Sequence, residues 1–546
     1  MFLCYESTEL DHHSIHPESH LSSDHAPLTI DIPIYEEDIC TSKLSIPPKS
    51  DQKTAFIEEI ILNFKNLNTS SIADTDDLEW NVNQLRAIIN WAWTKNAKKS
   101  KISKYSKQWW MDECSRSLNN YRTTRSLDNW KNSKKVVKNT KRSFFDAKIQ
   151  EVANKSCGPW ELINWINKHK LPAIEAIKHD GCPCISPESL WDALHNTFNT
   201  ALNHHVDPNI LHEIKRKPTS WWYPSFKEEF KQAISKCNDL SAPGPDKLTW
   251  HHLKYIIKQD ECLINIINIA DVCINLGHWP SYFKCSLTVV IPKPNKTTYD
   301  QPKAFQPIIL LNTLGKLIEK VITERLQFTV VSNNFIHPSQ LDGLKFKSTT
   351  DAGVALMYIV HSGWAKGKLT STLIFDISQF FPSLNHYLLV LILEKAGLEP
   401  KVSSFFANYL IMRKTSYLWN NLSSLSFTVN IGVGQGSALS PILSALYLTP
   451  LLYILEKHLI NLKIPVSILS FVDNGLIIAQ NKSLDISNSH LFYSYNVLSK
   501  LLDSFSLIIE YVKTEVFYFN RLHGAFNPPL LDLSPTGGPT LHPKDT

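Results

Sequence analysis

An apolar run in the C-terminal half of the chain, residues 373–375, ends at Asp376. Residues 385–396 follow with apolar positions at helical spacing, and Gly397 stands where a helix commonly ends. The pattern therefore predicts a strand, a loop beginning near Asp376 and a helix. A carboxylate at the end of a strand is most often a cap or turn residue, so Asp376 alone indicates no chemistry.

A second pair of apolar runs, residues 468–472 and 476–478, flanks Asp473, Asn474 and Gly475. Asn-Gly between two such runs is a strong hairpin signal, so we predict two strands joined by a turn of these three residues. Taken alone, Asp473 and Asn474 are fully explained as residues that form a turn.

A glycine-rich stretch, GVGQGSALSP at residues 432–441, lies between these two features. Closely spaced glycines let the backbone approach a ligand, and a helical pattern begins at Ile442 and runs at least to Thr449. We expect Pro450 to kink or end that helix. The three features occur in a fixed order: the strand with Asp376, the glycine-rich turn and the hairpin with Asp473. Together they are a far more specific signature than any one of them alone.

The remaining hydrophobic pattern divides the chain further. It predicts a strand-like run at residues 25–33, helices at 53–166 and mixed α/β structure up to about residue 520. Residues 36–51 are predicted to be a linker, and the tail, rich in Pro and Gly, is predicted to be loop. No stretch approaches the roughly 20 apolar residues of a membrane span, so we expect an intracellular protein.

The net charge of +5 is concentrated in one segment. Residues 91–150 contain 16 Lys or Arg and only 4 Asp or Glu, so their local excess is larger than the charge of the whole chain. Aromatic residues, among them Trp109, Tyr121 and Trp130, are interleaved with these cations. Cations bind phosphates and aromatic rings stack on bases, so we predict a nucleic-acid surface here. The alternative is a solvated helical face.

Eight sequence blocks occur in a fixed order between residues 218 and 520. They are SAPGPDKLTWHHLK (241–254), VVIPKPNK (289–296), KAFQPIILLNTLGKLIEK (303–320), GLKFKSTTDAG (343–353), FDISQFFPSL (375–384), GVGQGSALSPILSALYL (432–448), FVDNGLII (471–478) and KTEVFYF (513–519). These blocks closely resemble the reverse transcriptases of non-LTR (LINE-like) retrotransposons of the fungal type.

The resemblance implies an α+β fold, the right-hand polymerase fold of fingers and palm. The palm would be an antiparallel sheet with helices, and a helical region would precede it. It implies an RNA-directed DNA polymerase that uses two Mg²⁺ ions, for which Mn²⁺ is a possible substitute. The implied partners are an RNA template, a DNA primer and deoxynucleoside triphosphates, and the implied location is the nucleus.

The resemblance also implies roles in metal binding and proton transfer. Asp376 and Asp473 match the metal ligands, and the backbone carbonyl of Ile377 would assist them. Asn474 stands where the family carries a second hairpin aspartate. Lys513 resembles the lysine to which protonation of pyrophosphate is attributed, although a solvated surface lysine explains it equally well.

Further residues match the family's substrate-binding positions. Phe381 matches the aromatic ring that excludes a 2′-hydroxyl, a role compatible with plain core packing. Gln435 and Gly436 match the floor beneath the incoming base and template. Lys293 resembles the fingers lysine that contacts the triphosphate, and here too a solvated lysine is an equal alternative.

Three positions depart from the family's pattern. Asn474 keeps a carbonyl oxygen but loses the negative charge of Asp, which should weaken metal binding. Gln306 replaces an arginine and cannot form a charged fork on a phosphate. Asp342 stands where glycine is usual and is a third candidate lesion. We therefore predict an impaired polymerase, and the alternative is a catalytically dead fragment that retains at most nucleic-acid binding.

The resemblance also suggests a division of the chain. Ser23-Asp24-His25 resembles the last motif of the metal-dependent endonuclease that precedes such transcriptases, in which Asp24 and His25 would polarise the scissile phosphate. We predict four segments: 1–35 is a remnant of the C-terminal end of an endonuclease/exonuclease/phosphatase-type domain, 36–217 a linker and basic helical region, 218–520 the reverse transcriptase fingers and palm, and 521–546 the truncated start of a thumb or connection.

Overall fold

A computed structural model describes residues 12–15, 28–31, 42–47, 50–101, 109–153, 177–239, 241–294, 296–345, 347–419, 422–521 and 528–544. The chain divides into two compact units. The first unit is residues 1–52 and 96–168, and the second unit is residues 53–95 and 169–546. The region 36–217 is therefore shared between both units. The functional boundaries inferred from the sequence stay predictions.

The helices and strands are numbered in chain order. The helices are α1 Asp51–Lys65, α2 Thr75–Asn96, α3 Asp112–Thr124, α4 Leu127–Ala153, α5 Pro187–Phe198, α6 Lys227–Ser235, α7 Trp250–Ile256, α8 Asp260–Asn275, α9 Thr313–Ser332, α10 Thr349–Ala365, α11 Phe380–Ser383, α12 His386–Lys395, α13 Pro400–Leu410, α14 Ser440–Asn461 and α15 Leu484–Ser504. The strands are β1 His12–Ile15, β2 Leu28–Asp31, β3 Ser42–Ser45, β4 Lys98–Lys101, β5 Lys178–His179, β6 Cys182–Pro183, β7 Cys285–Pro292, β8 Phe305–Leu311, β9 Leu369–Asp376, β10 Arg413–Trp419, β11 Leu422–Val429, β12 Val466–Phe471, β13 Asn474–Asn481, β14 Glu515–Phe519, β15 Leu531–Asp532 and β16 Thr540–Leu541.

The first unit contains two short antiparallel strand pairs and a helical hairpin. β1 pairs with β2, and β3 pairs with β4. β3 and β4 correct two expectations, because β3 lies in the stretch predicted to be a linker and β4 interrupts the stretch predicted to be helical. Arg125 and Ser126 join α3 to α4, and Arg125 adopts the left-handed conformation (φ +52°) that ends a helix. No helix within the described ranges of the chain is long and apolar enough to cross a membrane.

The second unit contains two four-stranded sheets. In the first, with strand order β11-β10-β7-β8, the β7–β10 pair is parallel and the other two pairs are antiparallel. We name it the fingers sheet. Helix α5 covers it, because Trp191 and Phe198 pack in one cluster with Val290, Phe305 and Tyr417.

The second sheet, with strand order β12-β13-β9-β14, is antiparallel throughout and is named the palm sheet. Leu373 lies on β9 between Ile477 of β13 and Val516 of β14, and all three side chains are fully buried. Helices α14 and α15 pack against each other, and α15 packs on β9 and β13. The predicted α+β fold with an antiparallel palm sheet is confirmed.

The helix predicted at residues 385–396 is confirmed nearly to the residue. Asn385 caps α12 by accepting the N–H of Leu388 (3.0 Å), and Gly397 follows the helix at φ +92°. Pro450 does not end the helix, since α14 passes through it and ends only at Asn461, and a kink at Pro450 stays a prediction. Proline removes one helical hydrogen bond, and the apolar burial along α14 outweighs that loss.

The tail also differs from the predicted loop. β15 and β16 form a small antiparallel pair. Leu531, Leu533 and Leu541 are buried, although Pro and Gly residues surround them. Burial of three leucines explains why a stretch rich in turn residues is ordered here.

Substitution of Gly475 tests the tightest point of the palm sheet. A Cβ at Gly475 would overlap the ring of Phe375 on the neighbouring strand. We expect Gly475→Ala to lower the free energy of unfolding by about 1–3 kcal/mol, the usual cost of overpacking. Urea unfolding measures this loss.

Gly353→Ala is the matched control. Gly353 lies inside α10, and a Cβ there would meet no atom within 4 Å. Alanine should therefore raise the free energy of unfolding by roughly 0.5–1 kcal/mol. Equal effects of the two substitutions would contradict the packing of Phe375 over Gly475.

Candidate functional site

Two carboxylates meet at the ends of neighbouring palm strands. Asp376 is the last residue of β9, and Asp473 immediately precedes β13. The strand register places Asp376 opposite Asn474, and the N–H of Ile377 donates to the carbonyl of Asp473 (2.8 Å). Backbone pairing therefore holds Asp376 and Asp473 beside each other.

The hairpin turn is not the one predicted from Asn-Gly. β12 ends at Phe471 and pairs it with Asn474, so the turn consists of Val472 and Asp473. Asn474 and Gly475 belong to β13, where the glycine makes room for the Phe375 ring. Pairing with β9 thus extends the strand through Asn-Gly and moves the turn back by two residues.

Val472 carries backbone strain at this turn. Its φ of +56° is rare for a β-branched residue, because the branched side chain crowds the backbone in the left-handed region. Such strain persists where the surrounding structure fixes the chain, and it is common next to functional residues. The flanking bonds from Ser470 N–H to Ser339 O and from Leu341 N–H to Ser470 O, each 2.9 Å, fix the hairpin.

The charges at the site are only partly balanced. Lys513 donates to Asp376 through a bond of 2.9 Å from Nζ to Oδ2. Burial lowers the pKa of Lys513, but the hydrogen bond and charge of Asp376 outweigh burial, so its pKa is raised. Burial and the negative charge of Asp376 raise the pKa of Asp473. Like charges at short range have this effect on a carboxyl group.

Asn474 acts on Asp473 directly. Its side-chain amide donates to Oδ1 of Asp473 (3.0 Å), and the side chain is exposed. A donor therefore occupies a lone pair of Asp473 that a cation would otherwise use. An aspartate at this position would bring a negative charge in its place.

The donor set fits a divalent cation of the Mg²⁺ type. Asp376 and Asp473 supply hard carboxylate oxygens, and a bound cation would offset both the burial and the repulsion from Asp376 that raise the pKa of Asp473. Within the part of the chain that the structure describes, no group of three His, Cys, Asp or Glu residues is arranged to hold a metal. Further ligands would have to be water, substrate, the amide of Asn474 or a backbone carbonyl. The role of the Ile377 carbonyl stays a prediction.

Glu510 is a site residue that the sequence reasoning missed. Its N–H donates to the carbonyl of Asp376 (2.8 Å), and its carboxylate accepts from Ser378 Oγ (3.0 Å). Its negative charge acts on both Lys293 and Lys513. The spacing of three residues before Lys513 was the one available signal, and by itself it is weak.

Lys293 faces the same site from the fingers sheet. Burial and the charges of Lys296 and Lys513 lower its pKa, against the opposing effect of Glu510 and Asp376. Its Nζ donates to the carbonyl of Lys303 (3.0 Å). Gln306, half-buried on β8, pairs with Ile291 near the end of β7, two residues before Lys293.

The glycine-rich loop connects the palm to the fingers sheet. The carbonyl of Gln435 accepts the N–H of Ile309 on β8 (2.9 Å), and a Cβ at Gly436 (φ +130°) would overlap the Ile309 carbonyl. The carbonyl of Phe381 accepts the N–H of Val433 (2.8 Å), and the Phe381 ring is half-buried. The structure therefore brings Phe381, Gln435 and Gly436 to one loop.

A buried polar cluster supports the end of that loop, and the sequence reasoning missed it. Glu319 of α9 accepts from Tyr409 Oη and Ser437 Oγ, each at 2.8 Å, and from the N–H of Ala438 at 3.2 Å. Burial raises the pKa of Glu319, although these hydrogen bonds offset part of the effect. A lone Glu within an apolar helix, in KLIEK, was the signal that could have found it.

Arg413 fixes the beginning of the loop in the same way. Its guanidinium donates to the carbonyls of Ile431 (2.9 Å) and Gly432 (2.6 Å). Burial lowers the pKa of Arg413. The buried Glu319 and the half-buried Arg413, on different elements, thus position the segment that carries Gln435.

Asp342 lies behind the hairpin turn. Burial raises its pKa, and it accepts the backbone N–H of Val472 and the side-chain amide of Gln340. The negative charge of Asp473 acts in the same direction as burial. Its status as a lesion stays a prediction. Asp24 and His25 lie outside the described residues.

Comparison with known proteins agrees with the geometry. Residues 291–534 match the family model described as reverse transcriptase (RNA-dependent DNA polymerase). The matched range contains the predicted polymerase site residues from Lys293 to Lys513.

Two curated relatives and one solved structure illustrate the similarity. The RNA-directed DNA polymerase from mobile element jockey of Drosophila funebris is 25% identical over 224 residues, which cover 41% of this chain and 24% of that protein. The Pol polyprotein from the type-1 retrotransposable element R2 of Popillia japonica is 25% identical over 268 residues, 48% of this chain and 35% of that protein. Apo telomerase from Candida tropicalis aligns with a TM-score of 0.34 and 14% identity over 44% of this chain and 51% of that chain. The chain spans about a quarter to a third of the length of these curated relatives.

The raised pKa of Asp473 predicts a pH dependence of stability. The folded chain binds this proton more tightly than the unfolded chain, so the stability due to Asp473 is greatest at low pH. It is lost as the pH rises through the raised pKa. We expect the free energy of unfolding to fall as the pH rises from about 4 to 7, and to fall less in Asp473→Asn than in the parent chain.

Denaturant unfolding at low salt without divalent cations measures this difference. Asp503→Asn, at an exposed position of α15, is the control for losing one aspartate. Added Mg²⁺ should reduce the fall in the free energy of unfolding of the parent chain as the pH rises. It should change the corresponding fall in Asp473→Asn less. Parallel pH curves for the parent and Asp473→Asn would show that the two carboxylates do not interact as described.

Proposed function

We propose that this chain carries an RNA-directed DNA polymerase site. Residues 291–534 match the reverse transcriptase family model, and the similar curated proteins come from mobile and retrotransposable elements. The observation that supports it most is the meeting of Asp376 and Asp473 at the ends of adjacent palm strands. The substrates would be an RNA template, a DNA primer and deoxynucleoside triphosphates. The reaction would take place in the nucleus.

Asp376 and Asp473 would hold two Mg²⁺ ions, or Mn²⁺ in their place, with the carbonyl of Ile377 as a further ligand. When bound, such ions activate the primer 3′-hydroxyl and neutralise the charge on the leaving pyrophosphate. Lys513 lies beside Asp376, where its ammonium would be placed to give a proton to the leaving group. Lys293 would bind the triphosphate from the fingers side.

Substrate selection would fall to the loop and to Phe381. The ring of Phe381 would lie beneath the sugar and exclude a 2′-hydroxyl. Gln435 and Gly436 would support the incoming base and template, in positions fixed by Glu319 and Arg413 through the ends of the loop. These buried supports act through the loop and are positioning residues.

We propose further that the activity is impaired by two residues. Asn474 supplies no charge and donates to Asp473, which opposes cation binding at that carboxylate. Gln306 lacks the charge that would fork onto a phosphate at the fingers side. The second candidate function is nucleic-acid binding without catalysis, which the Asn474 contact favours.

Primer extension on an RNA template with Mg²⁺ tests the proposed chemistry. We expect weak extension by the parent chain and none after Asp376→Ala or Asp473→Ala, because either change removes a carboxylate ligand. Asp503→Ala, at the exposed control position, should extend as the parent does. Extension that survives Asp376→Ala would refute the proposed metal ligands.

Local repair is the sharper test of the proposed damage. Asn474→Asp replaces the donor on Asp473 by a carboxylate, and Gln306→Arg supplies a cation at β8. Both changes act on the same bound nucleotide, so their effects need not be additive, and we expect a clear gain only in the double variant. The rate of single-nucleotide addition measures the gain.

A separate measurement isolates the metal step. Titration with Mn²⁺ should show tighter binding in Asn474→Asp than in the parent, while Gln306→Arg alone should bind the ion as the parent does. If the doubly repaired chain folds and binds primer-template yet adds no nucleotide, the proposed account of the damage is wrong.

A further inference from the structure

The cations of α4 lie on one face of the helix. The basic face consists of Lys131, Lys134, Lys135, Lys138, Lys141 and Arg142, and all six side chains are exposed. At 3.6 residues per turn, these positions fall within an arc of about 120° and span about 16 Å along the axis. Acidic residues flank the face only at its ends, as Asp128 and Asp146.

The opposite side of α4 belongs to the hairpin core. Ser133 is 3% exposed, and Val136, Val137 and Phe144 are half-buried. On α3, Cys114 and Ser117 are buried as well. The polar and buried sides of α4 are therefore separated, which fixes the direction of the basic face relative to the hairpin.

Clustering of these cations is unfavourable for the isolated helix. Lys131 and Lys135, and likewise Lys134 and Lys138, are like charges four residues apart, which repel each other. A helix face that serves solubility alone usually alternates positive and negative residues along its length. An anionic partner on this face would offset the repulsion.

Aromatic rings border the basic face at the end near the hairpin link. Trp130 packs against Tyr121 with ring centroids 5.0 Å apart, and Nζ of Lys134 lies 4.6 Å from the Trp130 ring. Trp130 remains 37% exposed. Exposed rings beside cations are typical of surfaces that contact nucleic acid.

We propose that the basic face of α4 binds the phosphate backbone of a nucleic acid without sequence preference. One strand of a duplex carries one phosphate for every 3.4 Å or so of the duplex axis, so a face about 16 Å long can reach several phosphates. Lysines and an arginine supply charge and point contacts but no arrangement that reads bases. This inference rests on the α3–α4 hairpin alone and is independent of the polymerase proposal.

The test uses the full chain and a quadruple variant of Lys131, Lys134, Lys135 and Lys138 to Gln. Gln keeps the helix propensity of Lys, so the hairpin should remain folded, which circular dichroism checks. Affinity for a short blunt DNA duplex is measured as a function of salt. The slope of log affinity against log salt should become shallower by about 3 to 4, since each neutralised phosphate contributes about 0.9.

Two further variants separate charge position from charge number. The first variant removes the same charge from the second unit, by changing four exposed lysines there to Gln (Lys366, Lys463, Lys482 and Lys500). This variant should keep most of the parent's salt slope. The second variant keeps the charge in place, by changing Lys131, Lys134, Lys135 and Lys138 to Arg. It should bind as the parent does. If both Gln variants lose slope equally, the basic face has no special role and the proposal fails.

Single-stranded RNA and anionic phospholipid vesicles form the other arms of the test. Loss of slope on the duplex, on RNA or on both supports the proposal and identifies the nucleic acid. Unchanged slopes on both nucleic acids overturn it. Loss of vesicle binding with unchanged nucleic-acid binding would overturn it in favour of a membrane-surface role.

Discussion

Two negative charges, on Asp376 and Asp473, are held next to each other, and the palm is arranged around that unfavourable contact. Burial raises the pKa of Asp473, and the negative charge of Asp376 raises it further. Lys513 compensates the charge on Asp376 through a direct hydrogen bond, whereas Asp473 accepts from the neutral amide of Asn474 and feels the charge of Lys513 without such a bond. The free energy that holds the pair comes from elsewhere, since β9 is the central strand between β13 and β14 and its Leu373 is fully buried. The backbone strain at Val472 is a second local cost of this kind, and the surrounding structure holds the residue in place despite it.

Asn474 has two opposite effects at this site. As a ligand it is weaker than Asp, but as a neighbour it relieves Asp473, because its amide donates where a carboxylate would repel. Under the proposed function, Asn in place of Asp at this position would weaken catalysis and leave the fold intact. Stability and activity often oppose each other at sites built from like charges.

The sequence predicted those parts of the molecule whose causes are local. Asn385 and Gly397 delimit α12 by capping, which is a property of a few consecutive residues. The turn at Val472 and Asp473 was misplaced because its position depends on pairing with β9, about a hundred residues earlier. Pro450 failed as a helix terminator for a similar reason, since tertiary burial along α14 outweighs one missing hydrogen bond. Glu319 and Glu510 acquire their roles only from partners distant in sequence, Tyr409 and Asp376 among them.

Binding of divalent cations requires negative charge, whereas binding of a phosphate backbone requires positive charge. The chain carries the two kinds of charge on different segments. A site that binds divalent cations needs uncompensated carboxylates, which repel a phosphate backbone. Positive charge for that backbone is abundant only in residues 91–150, whose excess is larger than the net charge of the whole chain. The α3–α4 hairpin lies within that segment and belongs to a different compact unit from Asp376 and Asp473. The proposed damage to the carboxylate site changes no residue of the basic face of α4, so the nucleic-acid binding proposed for that face would not depend on catalysis.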